Sequence, residues 1–142
     1  MLDKKAGEII LMKTDNPFIQ LDKVKILIVI KNILENAIKY NNQKPYIIIK
    51  IMIKRNKMIL SFQDNGIGIE RKEFPKIFEQ FYRVSTGNVH NVKGYGLGLN
   101  YIKTIIKLHK GKIKVESVLN QGSTFRIYLP LKQIIWKQRR KF

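Results

Sequence analysis

At 142 residues and 44% hydrophobic content, the chain can build one domain around a single core of ordinary size. Its formal net charge of +18 raises an anionic partner, nucleic acid or a membrane surface, but the cations are mostly lysines scattered among Ile and Asn, and only Lys137-Gln138-Arg139-Arg140-Lys141 forms a compact cluster, where a solvated tail is the plainer reading. The absence of cysteine excludes a disulfide framework or thiolate metal centre, no apolar run approaches the ~18 residues of a membrane span, and Met1-Leu2-Asp3-Lys4-Lys5 leads into no signal-peptide core, so a soluble piece is expected.

Residues 1–20 are weakly patterned: Ile9-Ile10-Leu11-Met12 reads as a short edge strand, and Asn16-Pro17 as a turn. From Asp22, a natural N-cap, the apolar positions Ile26, Val29, Ile30, Ile33, Leu34, Ala37 and Ile38 predict a helix with one buried stripe. Asn32, Asn36, Lys39 and Tyr40 stand three or four apart on it and can share a face. After the loop Asn41-Asn42-Gln43-Lys44-Pro45, alternation predicts a strand from Tyr46 to Lys54, a tight turn at Arg55-Asn56-Lys57 and a returning strand to Gln63.

That strand runs into Asp64-Asn65-Gly66-Ile67-Gly68-Ile69. Glycine admits positive φ and close backbone approach, and an ionised Asp only accepts hydrogen bonds, a pairing suited to an amino-bearing base. Asp-Asn-Gly is equally the chemistry of a plain turn, and on these residues alone both readings stand. Phe74, Ile77, Phe78 and Phe81 follow at helical spacing, with core packing their expected role. A polar stretch from Ser85 to Lys93 is long enough to act as a lid, and Gly94-Tyr95-Gly96-Leu97-Gly98-Leu99 opens a second helix expected to end at Gly111. Glycines feeding a helix N-terminus make an anion site, and they also make a hinge. Two further strands, Ile113 to Leu119 and Thr124 to Leu131, close a hairpin at Asn120-Gln121-Gly122-Ser123.

The ordered set resembles the ATP-binding catalytic domain of sensor histidine kinases, within the larger group that includes DNA gyrase, heat-shock protein 90 and MutL. Residues 32–40 look like its asparagine box, 64–69 its first glycine box, 74–83 its phenylalanine box and 94–99 its second glycine box, while Gly122-Ser123-Thr124-Phe125 matches its closing segment. The resemblance spans residues 16–131 and so divides the chain into a lead-in at 1–15, the domain and a basic tail at 132–142. It implies an α+β, two-layer sandwich of the Bergerat type, with a mixed, largely antiparallel sheet, helices on one face and a lid over ATP.

Carried over position by position, the resemblance implies that Asp64 accepts from the adenine amino group, with Gly68 letting the backbone approach the base and Gly66 and Ile69 also among the nucleotide-binding residues. Asn36 would bind Mg²⁺ through its amide oxygen, a hard ligand suited to that cation. Asn32 would support the same site, Lys39 would reach the phosphates and Tyr40 would line the pocket. Gly94, Gly96 and Gly98 would cradle the triphosphate under the lid, with Arg83 a further phosphate contact and Tyr95, Leu97, Leu99 and Thr124 also among the nucleotide-binding residues. Tyr95 replaces the small residue usual between the first two glycines. Hydrolytic members of the group carry Glu four residues before the Mg²⁺ asparagine, whereas this chain has Asn32, which cannot act as a base. Glu35 stays in the catalytic set as a contributor discussed for histidine kinases.

The acceptor in such kinases is a His followed by an acidic residue on a helical hairpin, and neither His90, before Asn91, nor His109, before Lys110, fits. The expected partners are therefore ATP, a histidine-bearing dimerisation hairpin outside this chain and, through it, a response regulator; the domain by itself is expected to be monomeric and cytoplasmic, with no specific nucleic acid, in a parent that can be anchored at the inner membrane. A stand-alone ATPase, an anti-sigma-type serine kinase and a basic nucleic-acid module are the alternatives.

Overall fold

A computed structural model describes residues 6–14, 18–80, 82 and 98–131. Five strands, β1 (Glu8–Lys13), β2 (Tyr46–Lys54), β3 (Lys57–Asp64), β4 (Lys112–Val118) and β5 (Gly122–Pro130), form one sheet in the order β1-β2-β3-β5-β4. The β1–β2 pair is parallel and the other three are antiparallel, which makes the sheet mixed and largely antiparallel as expected. The stretch read as a lead-in thus contributes an edge strand, with Ile9 opposite Ile47 and Leu11 opposite Ile49.

Two helices, α1 (Lys23–Lys39) and α2 (Gly98–Leu108), pack on one face of the sheet. Alternation decides which residues meet them: Met58, Leu60 and Phe62 of β3 and Ile127 and Leu129 of β5 join Ile26, Val29 and Ile33 of α1 and Ile102, Ile105 and Ile106 of α2 in one core. Val29, Ile102, Ile127 and Leu129 are wholly buried. Burying such a side chain contributes about 1.5–3 kcal/mol, so this seam between helices and sheet is what holds the domain.

The ends of the elements follow from local chemistry. Asp22 caps α1, its carboxylate accepting from the Lys25 N–H at 3.1 Å. The β2–β3 turn places Arg55 and Asn56 at φ 52° and 59°, the left-handed pair that a two-residue hairpin requires. At the end of α2 the left-handed residue is Lys110 (φ 59°), not the glycine expected there, and the Gly111 N–H donates to the Ile106 carbonyl at 2.9 Å. Gly111 is glycine because a Cβ there would strike the Tyr128 carbonyl. His109 joins the two helices: its Nε2 accepts from the Asp22 N–H at 3.1 Å and its Nδ1 faces the Ile105 carbonyl at 2.8 Å, a structural role that assigns the proton to Nδ1.

The phenylalanine-rich segment departs from its helical spacing. It forms a short 3₁₀ turn at Arg71–Glu73 and then a series of turns up to Gln80, because Pro75 has no N–H to donate and its ring opposes the preceding turn. Most bonds along it skip three residues, as in Phe74 N–H to the Arg71 carbonyl at 3.2 Å and Glu79 N–H to the Lys76 carbonyl at 2.9 Å. The expected core role holds for Ile77, which is 3% exposed, while Phe74 and Phe78 are half-buried. Phe81 and the polar stretch from Ser85 to Lys93 lie outside the described residues, as does the basic tail.

Candidate nucleotide site

The site begins where β3 stops. Asp64 is the last β3 residue in the ladder with β2, opposite Ile47 and therefore on the helix-bearing face. One of its carboxylate oxygens, Oδ1, accepts from the Gly66 N–H at 2.8 Å and from the Ser123 N–H at 3.2 Å. The other, Oδ2, makes no hydrogen bond among the described residues. Burial pushes the carboxyl above its ordinary range, and the two N–H bonds oppose that shift. The result is a half-buried acceptor with a fixed rotamer and one free oxygen.

The loop behind Asp64 is clamped from both sides. Toward α1, the Ile67 N–H donates to the Tyr40 carbonyl at 2.9 Å, and a Cβ on Gly66 would lie 2.5 Å from that same oxygen. Toward the β4–β5 hairpin, the Ile67 carbonyl accepts from the Asn120 N–H at 2.6 Å, and the Ile69 N–H donates to Ser117 Oγ at 2.7 Å. Gly68 has φ 73°, and a Cβ there would strike the Val118 carbonyl. Gly122, at φ 122°, is pressed against the Asp64 carbonyl in the same way. These contacts account for the three glycines within the chain itself, because a side chain at any of them would force the clamp apart.

Asn32, Asn36 and Lys39 follow one another along the flank of α1, about 240°, 280° and 220° round the helix from the buried Ile26 at 100° per residue. All three are half-buried, and neither asparagine amide bonds to another described residue. Asn36 faces the start of α2, its Nδ2 lying 3.9 Å from where a Cβ on Gly98 would be. An uncommitted amide between two helix ends fits a hard cation, which asks for an oxygen that no other group holds. Tyr40 closes α1, its N–H bonded to the Asn36 carbonyl at 3.0 Å. Glu35 pairs with Lys31 at 3.8 Å along the solvent side, about 100° from Asn36.

Gly98 and Leu99 form the first turn of α2. Arg83, Gly94, Tyr95, Gly96 and Leu97 lie outside the described residues. Thr124 requires a correction: it sits opposite Gln63 and Glu116, on the sheet face away from Asp64, because Phe125 beside it points into the core. The residue next to Asp64 is Ser123, whose hydroxyl bonds to Ser117 Oγ at 2.7 Å.

Four positioning residues escaped the sequence reading. Asn65, Asn41 and Ser117 hold the loop, and Asn100 pins the first turn of α2 to the Phe78 carbonyl at 3.0 Å. Ser117 had a signal, since it follows Ile113 and Val115 on the inward alternation of β4, where a polar side chain must find a partner. Asn65 carried none beyond its turn propensity.

The family described as "Histidine kinase-, DNA gyrase B-, and HSP90-like ATPase" matches residues 21–133. The chain is 46% identical over 122 residues to the sensor protein RprX of Bacteroides fragilis, covering 84% of this chain and 24% of that protein. It is 34% identical over 118 residues to the sensor histidine kinase WalK of Bacillus subtilis, covering 82% and 19%. The catalytic domain of the histidine kinase ThkA superposes with a TM-score of 0.77 at 26% identity, over 92% of this chain and 84% of that one. The chain thus spans about a quarter or less of the length of these curated relatives. With its motifs in order, a two-layer fold and a carboxylate set out at the strand end, the chain belongs to the histidine kinase-, DNA gyrase B- and HSP90-like ATPase family, as an ATP-binding catalytic domain of the sensor histidine kinase type.

Proposed function

We propose that this domain binds Mg-ATP between α1, the loop at 64–69 and the start of α2, and presents the γ-phosphate to a histidine on a dimerisation hairpin elsewhere in its protein. The free Oδ2 of Asp64, on a carboxylate whose other oxygen is already committed, is the observation that carries this reading. It would accept a hydrogen bond from the adenine amino group while the clamp keeps the base in register. Asn36 supplies the amide oxygen that would hold Mg²⁺, with Asn32 one turn before it and Lys39 reaching toward the phosphates. When bound, the cation neutralises charge on the phosphates. The described residues contribute orientation and charge compensation.

Asn32 has no proton-accepting side chain at the place where a base would activate water, and Glu35 lies about 100° round α1 from Asn36, on the solvent side. The phosphoryl group therefore goes to a protein acceptor, and from that histidine to a response regulator. Among the described residues no helix is long and apolar enough to cross a membrane, which suits a domain working in the cytoplasm, where ATP is.

Calorimetric titration with ATP tests the reading, with and without Mg²⁺. Saturable binding that tightens with Mg²⁺, together with negligible steady-state phosphate release, is expected. Rapid release of phosphate would move the chain to the hydrolytic branch of the family, and absence of nucleotide binding would overturn the assignment.

A further inference from the structure

The loop at 64–69 has a second anchor that the nucleotide site does not use directly. The Asn65 side chain points back under the start of β2 and makes three hydrogen bonds: Oδ1 accepts from Asn41 Nδ2 at 2.8 Å and from the Tyr46 N–H at 2.8 Å, and Nδ2 donates to the Lys44 carbonyl at 3.0 Å. The backbone partners settle the orientation of the amide, since Tyr46 N–H can only donate and the Lys44 carbonyl can only accept. Asn41 is 4% exposed and is itself held, its Oδ1 accepting from the Gln43 N–H at 2.8 Å. Gln43 Nε2 completes the set by donating to the Asn65 carbonyl at 3.1 Å.

The location of this clasp is what matters. The β2–β3 ladder ends at Ile47 opposite Asp64. Asn65 continues it by one step with a side chain, taking up the Tyr46 N–H that the ladder leaves behind. Backbone-to-backbone anchoring of the loop resumes only at Ile67, and before it the Asn65 carbonyl is held by the Gln43 side chain alone. On the side of β2, therefore, the backbone orientation of Asp64 beyond its last ladder pair depends on the three bonds of the Asn65 amide, with the single bond from Gln43 to the Asn65 carbonyl beside them.

We propose that Asn65, held by Asn41, is a positioning residue that aims the free oxygen of Asp64 and so sets the base selectivity of the nucleotide site. The inference rests on the Mg-ATP reading above. At purine C6 adenine carries an amino donor, whereas hypoxanthine carries a carbonyl, which a carboxylate repels. Selectivity between them is a direct readout of where Asp64 Oδ2 sits, because one hydrogen bond weakens steeply with misalignment. The phosphates are held elsewhere, by the flank of α1, so loosening the clasp acts on the base and spares the triphosphate.

The test measures Kd by calorimetry on the full 142-residue chain for the Mg complexes of ATP, inosine triphosphate and inorganic tripolyphosphate. Asn65→Ala is expected to weaken ATP about tenfold while inosine triphosphate and tripolyphosphate stay within about twofold, so that the ATP preference collapses. Asn65→Asp keeps the two acceptor bonds and loses the donation to Lys44, and is expected to fall between. If Asn65→Ala gives no cooperative melt, Asn41→Ala, which removes the donor to Asn65 together with the acceptor of the Gln43 N–H and leaves the other two bonds of the Asn65 amide and the ladder intact, decides the question by the same ratio, with a smaller loss expected. An unchanged ATP-to-inosine ratio, or an equal loss for tripolyphosphate, overturns the proposal. A wild-type chain that binds both nucleotides equally overturns the adenine reading beneath it.

Discussion

The two ends of the proposed nucleotide site are built on opposite plans. At the base end, Asp64 Oδ1, the Asn65 amide, the Ile67 N–H and carbonyl and the Ile69 N–H all have partners at 3.2 Å or less. At the phosphate end, the amides of Asn32 and Asn36 stand on the flank of α1 with no partner among the described residues. The difference follows from what each end must recognise. A base is read by a single hydrogen bond whose direction must be set beforehand, so the reader is immobilised by its own chain. A hydrated cation and a mobile triphosphate are gathered by several groups at once, and those groups must be left free to coordinate. Substitutions that break the committed contacts of the base end should therefore lower stability and binding together, whereas those at the uncommitted asparagines of α1 should disturb function alone.

The largest effect is expected at the free end. Asn36→Ala should lower phosphoryl transfer to a histidine-bearing hairpin by more than about a hundredfold and abolish the gain in ATP affinity from Mg²⁺, while apo stability stays within about 0.5 kcal/mol because no hydrogen bond is lost. A comparable fall in melting temperature would show that Asn36 is structural and break the contrast. Next comes Asp64→Asn. The amide oxygen can still accept from Gly66 and Ser123, but the other position now presents a donor to the adenine amino group. ATP affinity should fall about ten- to a hundredfold.

The same variant carries a pH signature. The folded-state pKa of Asp64 is raised by burial, so above it the folded protein carries a desolvated charge that the unfolded chain does not. Asp64→Asn removes that cost, and the apo variant should melt at or above the wild type at neutral pH. The gap should close as pH falls through the folded pKa, because the proton then neutralises the wild-type group. A gap that widens on acidification would contradict the sign of the shift.

Gly122→Ala probes the lock from behind. A methyl group would meet the Asp64 carbonyl at φ 122°, a backbone region that L residues rarely adopt, so a loss of about 1–3 kcal/mol in denaturant unfolding is expected, with weaker ATP binding alongside. Stability loss without a binding defect would separate the two roles. The smallest effect belongs to Glu35→Gln, which breaks an exposed pair with Lys31 and should cost about 0.5 kcal/mol or less, with ATP affinity unchanged. A large loss of phosphoryl transfer in that variant would give Glu35 a chemical part that its present partner does not suggest.

Local pattern carried much of the fold. The stripe from Ile26 to Ile38 and the Asp22 cap predicted α1, alternation predicted the β2–β3 hairpin with its faces, and the turn at 120–123 predicted the β4–β5 hairpin. It misled in two places where a non-local or single-residue constraint outweighed spacing. Pro75 turned the expected helical spacing around Phe74 and Phe78 into successive turns, and the inward pointing of Phe125 put Thr124 on the far side of the sheet from Asp64. The end of α2 shows a third kind of miss, because a left-handed cap was legible but its occupant, Lys110, was not. Lysine is tolerated there since Gly111 is needed one residue later, against Tyr128.

By itself, the sequence determined the order of the motifs, the two helices, the hairpins and the family, because each depends on residue type and on periodicity over a few positions. Tertiary structure decided which groups converge on Asp64. Ser123 lies 59 positions away and Ser117 reaches the loop across 48, and both arrive only because β5 lies between β3 and β4. The clasp from Asn41 to Asn65 likewise exists only once β2 lies beside β3. Hydrogen bonds between segments far apart in the chain are set by sheet order and register, which leave no mark in any short window of residues.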